Sequence, residues 1–250
     1  MINEEDYVLE HIHRWILCGE VYLYERDAIL GMIRLLYSRD GKAHLGAIRV
    51  HPACRRQGIG TQLTDYCIRI CGTDTVRLSI MNNPPSQRLA EKRGFIPVAT
   101  FTLLELQQEI SKTGPCACGS LSPQKALSRF QASPQGLKNH SLLSSSFTFY
   151  HPSISILQDL CILAHGENMA ILDYDIDEAV TRSVQIAFCD ADFHLIQCIL
   201  GEAVRTKCEE IWAILYKGSE VIPLLTEYGF ELQEWAETIT VYEVSTISRN

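Results

Sequence analysis

The chain has 250 residues, which is enough for one large domain or two small ones. Its formal net charge is −8, so we expect no general attraction to the phosphates of nucleic acids. The sequence has no apolar run of roughly 18 residues and starts with an acidic segment, so we expect no membrane span and a cytoplasmic protein. Most of the ten cysteines lie in apolar runs, which favours buried free thiols over disulfides. These are Cys18, Cys67, Cys71, Cys161, Cys189 and Cys198.

The first half of the chain alternates strand patterns with helical patterns. The predicted helices cover residues 5–18, 60–71 and 83–94. The predicted strands cover residues 21–25, 28–37, 43–50, 75–81 and 95–106. Asn83 is a helix-capping residue, and Gly94 ends the short helix that follows it.

Residues 111–146 are rich in Ser, Gly, Pro and Gln with little periodicity, and we predict a linker or long excursion there. Strand and helix patterns then resume in the order of the first half. Gly94-Phe95 and Gly229-Phe230 occupy the same place in each half, which indicates two half-repeats of one architecture. We therefore expect one domain at residues 1–110 and a second, degenerate copy at residues 147–250.

A loop of unusual composition joins the strand that ends at Val50 to the following helix. Gly58 and Gly60 let the backbone turn tightly and approach a ligand, so that successive N–H groups at the helix start can converge on an anion. Arg55 and Arg56 add full charges that suit phosphate. The loop is predicted to hold a pyrophosphate, and it lacks the Lys-Ser/Thr ending that an ATP-binding loop requires.

The segment Arg55-Arg56-Gln57-Gly58-Ile59-Gly60 resembles the acetyl-CoA signature [QR]-x-x-G-x-[GA] of the GCN5-related N-acetyltransferase (GNAT) superfamily. Residues 83–95 resemble that family's N-x-x-A-x-x-(L/F)-Y-E-K-x-G-F. The resemblance implies an α/β fold with a mixed, mostly antiparallel sheet flanked by helices, here as two tandem half-repeats. It also implies acetyl-CoA as the coenzyme. The implied coenzyme-binding residues are Ile48, Val50, Arg55, Arg56, Gln57, Gly58, Ile59, Gly60, Thr61, Asn83 and Ser86.

The pattern departs from the family at the residue that protonates the leaving thiolate. The family often has a tyrosine four residues before the Gly of Gly-Phe, and this chain has Ala90. A thiol with a pKa of about 8.5 leaves without such an acid, so activity need not be lost. His44 is the candidate base for the acceptor amine, since its ordinary pKa of about 6.5 suits that role. The alternative is a surface histidine near a hairpin.

Two further segments lack the residues that a second ligand site needs. The second half reads Cys189-Asp190-Ala191-Asp192-Phe193 where the first has its loop, and aspartates at a helix start cap it and repel pyrophosphate.

Cys116-x-Cys118 could begin a metal site or form a redox pair, but an incidental segment is the interpretation we favour, because partners at suitable spacing are lacking. No metal is predicted.

The leading functional hypothesis is acetyl transfer from acetyl-CoA to a primary amine by direct attack on the thioester. The alternative is a non-catalytic acyl-CoA-binding regulator or scaffold. The expected partner is a small-molecule or peptide amine, and neither nucleic acid nor membrane is expected to bind. The protein is expected to be a monomer or homodimer.

Overall fold

The computed structural model describes residues 6–107, 118–174 and 182–247. Within these ranges the helices are α1 Val8–Leu17, α2 Ile59–Ile70, α3 Pro84–Lys92, α4 Pro123–Ala132, α5 Pro134–Lys138, α6 Ile154–Leu157, α7 Phe193–Thr206 and α8 Val221–Glu227. The strands are β1 Val21–Glu25, β2 Ile29–Tyr37, β3 Ala43–Val50, β4 Thr75–Met81, β5 Ile96–Leu106, β6 Gly119–Ser120, β7 Leu143–Ser145, β8 Thr148–Tyr150, β9 Cys161–His165, β10 Asn168–Asp173, β11 Ser183–Cys189, β12 Glu210–Tyr216, β13 Phe230–Leu232 and β14 Ile239–Ser245. Short 3-10 helices lie at Pro52–Cys54 and Glu234–Ala236. None of the described helices has the length and apolar character to span a membrane.

The chain divides into two compact units. The first comprises Met1–Pro97 with Val241–Asn250, and the second comprises Val98–Thr240. This division differs from the predicted domains 1–110 and 147–250, because most of β5 belongs to the second unit and the end of β14 belongs to the first. A strand pattern in the sequence shows that a strand forms, but it does not show which sheet the strand joins.

The first unit has the sheet order β1-β2-β3-β4-β14. The pairs β1–β2 and β2–β3 are antiparallel, whereas β3–β4 is parallel. Side chains alternate between the two faces of β2, so Ile33 and Leu35 pack with α2, while Met32 packs with Val8 and Trp15 of α1. Helices α1 and α2 therefore cover opposite faces of one sheet.

The second unit repeats that order of elements. Its sheet runs β5-β12-β11-β10-β9-β6, and β13 pairs with β5. The hairpin β9–β10 and the pair β10–β11 are antiparallel, whereas β11–β12 is parallel, as in the first unit. Helix α7 joins the two parallel strands and buries Leu195, Ile196 and Ile199 in the core. The predicted mixed, mostly antiparallel sheet flanked by helices, present as two half-repeats, is confirmed.

The predicted linker at 111–146 is replaced, from residue 118 on, by folded structure of the second unit. Ser122 Oγ accepts the backbone N–H of Lys125 at 3.4 Å and caps α4, whose Ala126 and Phe130 are buried. Ser133 caps α5 in the same way. Residues 111–117, including Cys116, lie outside the described residues. The Ser-rich composition that suggested a linker therefore reflects helix caps.

The cysteine predictions need correction at three positions. Cys118 and Cys198 form a disulfide within the second unit, so Cys198 is not a free thiol and Cys118 is not incidental. Cys18 is free but exposed. Cys67, Cys71 and Cys189 are free and buried as predicted, and Cys161 is free and half-buried.

Candidate functional site

Strands β3 and β4 diverge after a short paired stretch. Their parallel pairing covers Ala43 to Leu45 opposite Val76 to Leu78. Beyond it, Ala47 has a φ of 48°, and the pairing of β3 with β2 shifts register between Met32 and Arg34. A non-glycine residue with positive φ is uncommon, and a bulge bends the strand that contains it. The bend leads β3 away from β4 just before the loop.

The loop after β3 places glycine where the backbone requires it. Gly58 has a φ of 80° and forms the N-cap of α2, and no side chain caps that helix. The first N–H groups of a helix have no partner within it, so the amides at the start of α2 can donate to a ligand. Arg56 also has a positive φ, 63°, within the same turn.

Gly60 is held close to strand β3. A Cβ atom on Gly60 would lie 3.4 Å from Cδ1 of Ile48 and 3.8 Å from Cγ2 of Val50. The side chains of Ile48 and Val50 are half-buried and pack against the core of the first unit, whereas Ile59 is 3% exposed within that core. These side chains are engaged in packing, so only the backbone of Ile48 and Val50 is left for the coenzyme contacts that the family pattern implies, and those contacts remain predictions.

The polar side chains of the loop are directed to solvent. Arg55, Arg56 and Gln57 are exposed, and Thr61 is half-buried. The Nε of Arg55 lies 3.4 Å from the carbonyl oxygen of Val50, and Nε2 of Gln57 donates to the carbonyl of Ala53 at 3.2 Å. Among the described residues neither guanidinium pairs with a carboxylate. Two uncompensated cations therefore flank an uncapped helix start.

Asn83 and Ser86 meet at the start of α3. Asn83 Oδ1 accepts the backbone N–H of Ser86 at 3.1 Å, so Asn83 caps the helix as predicted. This bond gives Asn83 a structural role. The coenzyme contacts that the family pattern implies for Asn83 and Ser86 remain predictions.

The surroundings of His44 disfavour the predicted role as a base. His44 is 2% exposed, and its two ring nitrogens have no hydrogen-bond partner among the described residues. Burial lowers the pKa of His44 to about 3, and the positive charges of Arg77 and Arg34 add to the effect. A neutral imidazole out of contact with solvent cannot take a proton from an incoming amine near pH 7.

Ala90 fills a position in the core. It is 2% exposed and belongs to the same buried cluster as Phe95 and Tyr242. Its carbonyl accepts the N–H of Phe95 at 3.1 Å, which closes the turn through Gly94. Near β1, Glu20 forms an ion pair with Arg34, and the hydroxyl of Tyr24 accepts a hydrogen bond from Arg26.

At the corresponding place in the second unit, the start of α7 is capped by a side chain. Oδ1 of Asp192 accepts the backbone N–H groups of His194 at 2.8 Å and Leu195 at 3.3 Å, so α7 is capped by its own chain. The other oxygen, Oδ2, lies 2.9 Å from Nδ1 of His165 and accepts from Asn168 at 2.8 Å. Burial would raise the pKa of Asp192, but these hydrogen bonds lower it to about 2, so the carboxylate stays charged near pH 7.

One group that sequence reasoning missed lies between β3 and the C-terminal strand. Arg77 of β4 is 1% exposed and donates to the carboxylates of Asp40 and Glu243. The signal was an arginine in the middle of the apolar run Thr75–Met81. A buried charge is unfavourable unless it is paired, so its presence there predicts a partner.

Comparison with known proteins finds a family model that matches the first part of the chain. Residues 3–95 match the model of the acetyltransferase (GNAT) family. No curated protein matches the sequence. A GCN5-related N-acetyltransferase from Sphaerobacter thermophilus has a similar structure, with a TM-score of 0.60 at 13% identity over 96% of this chain and 86% of that one.

Two further structures are similar over both halves of the chain. A candidate acetyltransferase from Thermoplasma acidophilum has a TM-score of 0.61 at 20% identity, covering 97% of this chain and 84% of that one. A tandem GNAT protein from the clavulanic acid biosynthesis pathway has a TM-score of 0.52 at 11% identity, covering 90% and 83%. At these identities the likeness shows a shared fold.

Proposed function

We propose that this chain, whose residues 3–95 belong to the GNAT acetyltransferase family, transfers an acetyl group from acetyl-CoA to a primary amine. The observation that carries the proposal is the start of α2. Its amides lack a side-chain cap behind Gly58, and Arg55 and Arg56 flank it with exposed positive charge. Amides and cations that converge at a helix start suit a pyrophosphate.

The residues present fit a coenzyme A molecule on two counts. Gly58 has the left-handed conformation that lets the loop turn, and Gly60 lets α2 approach β3 closely. The bulge at Ala47 also turns β3 away from β4, which leaves strand backbone available to pair with the pantetheine arm. Bound acetyl-CoA supplies an activated thioester, and the chain positions it and polarises its carbonyl with backbone N–H groups.

Proton transfer in this proposal relies on solvent. His44 is buried and neutral, and Ala90 has no hydroxyl to donate a proton. The acceptor amine therefore has to reach the site already deprotonated, and water reprotonates the departing thiolate. Turnover should rise with pH as the amine loses its proton and then level off.

One coenzyme molecule binds per chain in this proposal. Asp192 already occupies the donors at the start of α7, and its negative charge opposes a pyrophosphate. The second half-repeat then has a structural role in place of a second coenzyme site.

The test is release of the coenzyme A thiol from acetyl-CoA in the presence of a panel of primary amines, from polyamines to lysine peptides. Release that depends on one class of amine supports the transferase. Tight coenzyme binding without release for any amine supports the non-catalytic acyl-CoA-binding protein, a role consistent with Ala90 and the buried His44.

A further inference from the structure

A single buried guanidinium connects three segments of the first unit. Nη1 of Arg77 lies 2.6 Å from Oδ2 of Asp40, and Nε lies 2.6 Å from Oε1 of Glu243. The Arg77 side chain is 2% exposed, and those of Asp40 and Glu243 are 12% and 24% exposed. A buried cation is strongly unfavourable unless such partners surround it, so this arrangement persists only while both carboxylates are in place.

Both carboxylates come from segments that are themselves well fixed. Oδ1 of Asp40 accepts the hydroxyl of Ser38 at 2.7 Å and the backbone N–H of Lys42 at 3.3 Å, in the turn before β3. Glu243 lies in β14, the neighbour of β4 in the sheet. Arg77 therefore ties β4 to the turn that begins β3 on one side and to β14 on the other.

The ion pairs of Arg77 lie at an important point along β4. Arg77 stands opposite His44, at the middle of the three residue pairs that join β3 to β4. The pairing ends at Leu45, and β3 then bulges at Ala47 and bends away from β4. The ion pairs of Arg77 with Asp40 and Glu243 thus lie at the end of the opening where the two strands are still paired.

We propose that Arg77 is a positioning residue for the coenzyme, which fixes the spacing of β3 and β4 where the pantetheine arm lies; this rests on the proposed function. Guanidinium is suited to the task because its Nε and Nη1 donors point to different carboxylates at once. A lysine ammonium at the same place keeps the charge but is a point donor, so it loses the fixed geometry. Without that geometry, β3 and β4 are no longer held at a fixed spacing.

The test uses two ligands that differ only in what occupies the opening. Acetyl-CoA contacts both the loop and the opening, whereas 3′-phosphoadenosine 5′-diphosphate carries the pyrophosphate and lacks the pantetheine arm. Calorimetry should show that Arg77→Lys lowers the affinity for acetyl-CoA about ten-fold or more. The affinity for the diphosphate fragment should change less than about two-fold. A residue that only stabilises the fold would change both affinities alike.

Arg93→Lys is the matched control, because Arg93 forms an ion pair with Asp65 of α2 at 2.9 Å in the same unit and takes no part in the pairing of β3 with β4. It should leave the ratio of the two affinities unchanged. If Arg77→Lys does not fold, Glu243→Gln is the variant to measure, because it removes one carboxylate charge and keeps the side-chain shape. We expect its affinity for acetyl-CoA to fall about three-fold and its affinity for the diphosphate fragment to stay the same.

Equal losses for the two ligands, or no loss for either, in the folded variant overturn the inference and leave the proposed function intact. A wild-type protein that binds neither ligand overturns the proposed function, and the inference with it.

Discussion

The carboxylate of Asp192 lies 2.8 Å from the backbone nitrogen of His194 and caps α7, whereas the corresponding helix α2 starts at Gly58 with no side-chain cap. The two half-repeats therefore differ at the point where a phosphate would bind. We predict that acetyl-CoA binds with one equivalent per chain. Calorimetric titration measures this directly, and saturation at two equivalents would refute the asymmetry.

The buried His44 makes stability depend on pH. Its pKa is lowered from an ordinary 6.5 to about 3, first by burial and then by Arg77 and Arg34. The unfolded chain therefore binds a proton that the folded chain does not, so this contribution to stability is present above the ordinary pKa and falls as pH drops. Between about pH 6 and pH 3 the free energy of unfolding should fall by about 1.4 kcal/mol per pH unit from this group.

Chemical denaturation of wild type and His44→Leu at several pH values isolates that contribution, because the carboxylates and the other histidines titrate in both proteins. The free energy of unfolding of wild type minus that of His44→Leu should fall by about 1.4 kcal/mol for each pH unit below about pH 6. His13→Leu, at an exposed position on α1, should track wild type. A constant difference between wild type and His44→Leu would show that His44 is not buried neutral.

Restoring the family tyrosine at Ala90 should not restore an acid. Ala90 is 2% exposed in a cluster with Phe95 and Tyr242, so Ala90→Tyr overpacks the core and should lower stability by about 1–3 kcal/mol. Thermal unfolding measures the loss, with Arg88→Tyr at a less buried position of the same helix as control. A stable Ala90→Tyr protein with a new upper limb in its pH–rate profile would contradict this.

The disulfide Cys118–Cys198 joins residues 80 apart in sequence. Closing a loop of that length restricts the unfolded chain, so reduction should lower the free energy of unfolding by about 2–4 kcal/mol. Thermal unfolding with and without a dithiol reductant measures the effect. Cys198→Ser should unfold at the temperature of the reduced protein, and the reductant should not change that temperature. Identical melting of oxidised and reduced wild type would argue against the bond.

The sequence predicts the tight turn of the loop, because the conformation of a glycine turn is decided locally. Gly58, Gly94 and Gly229 each have positive φ and each ends or begins an element, which is where glycine is required. The two half-repeats follow from the matching positions of Gly94-Phe95 and Gly229-Phe230. The caps Ser122 and Ser133, each followed by proline, were a readable signal for α4 and α5 that composition obscured.

The features that escaped prediction depend on contacts distant in sequence. His44 reads as an exposed residue near a hairpin, and only the packing around β3 and β4 buries it. Arg77 and Glu243 are 166 residues apart, and Cys118 and Cys198 are 80 apart. At such separations no local pattern in the sequence indicates that the two members of a pair meet. The assignment of β14 to the first unit has the same origin.

The most direct test of the central claim is acetyl-CoA binding by Gly58→Asp, measured by calorimetry beside wild type. The aspartate strains a left-handed position and places a negative charge against the pyrophosphate, so affinity should fall about 100-fold or more. Gly72→Asp is the matched control, since Gly72 has a φ of 67°, is exposed and lies away from the loop. We expect wild type and Gly72→Asp to bind acetyl-CoA and Gly58→Asp to lose that binding. Unchanged affinity in a folded Gly58→Asp protein would contradict the assignment of the coenzyme site to this loop.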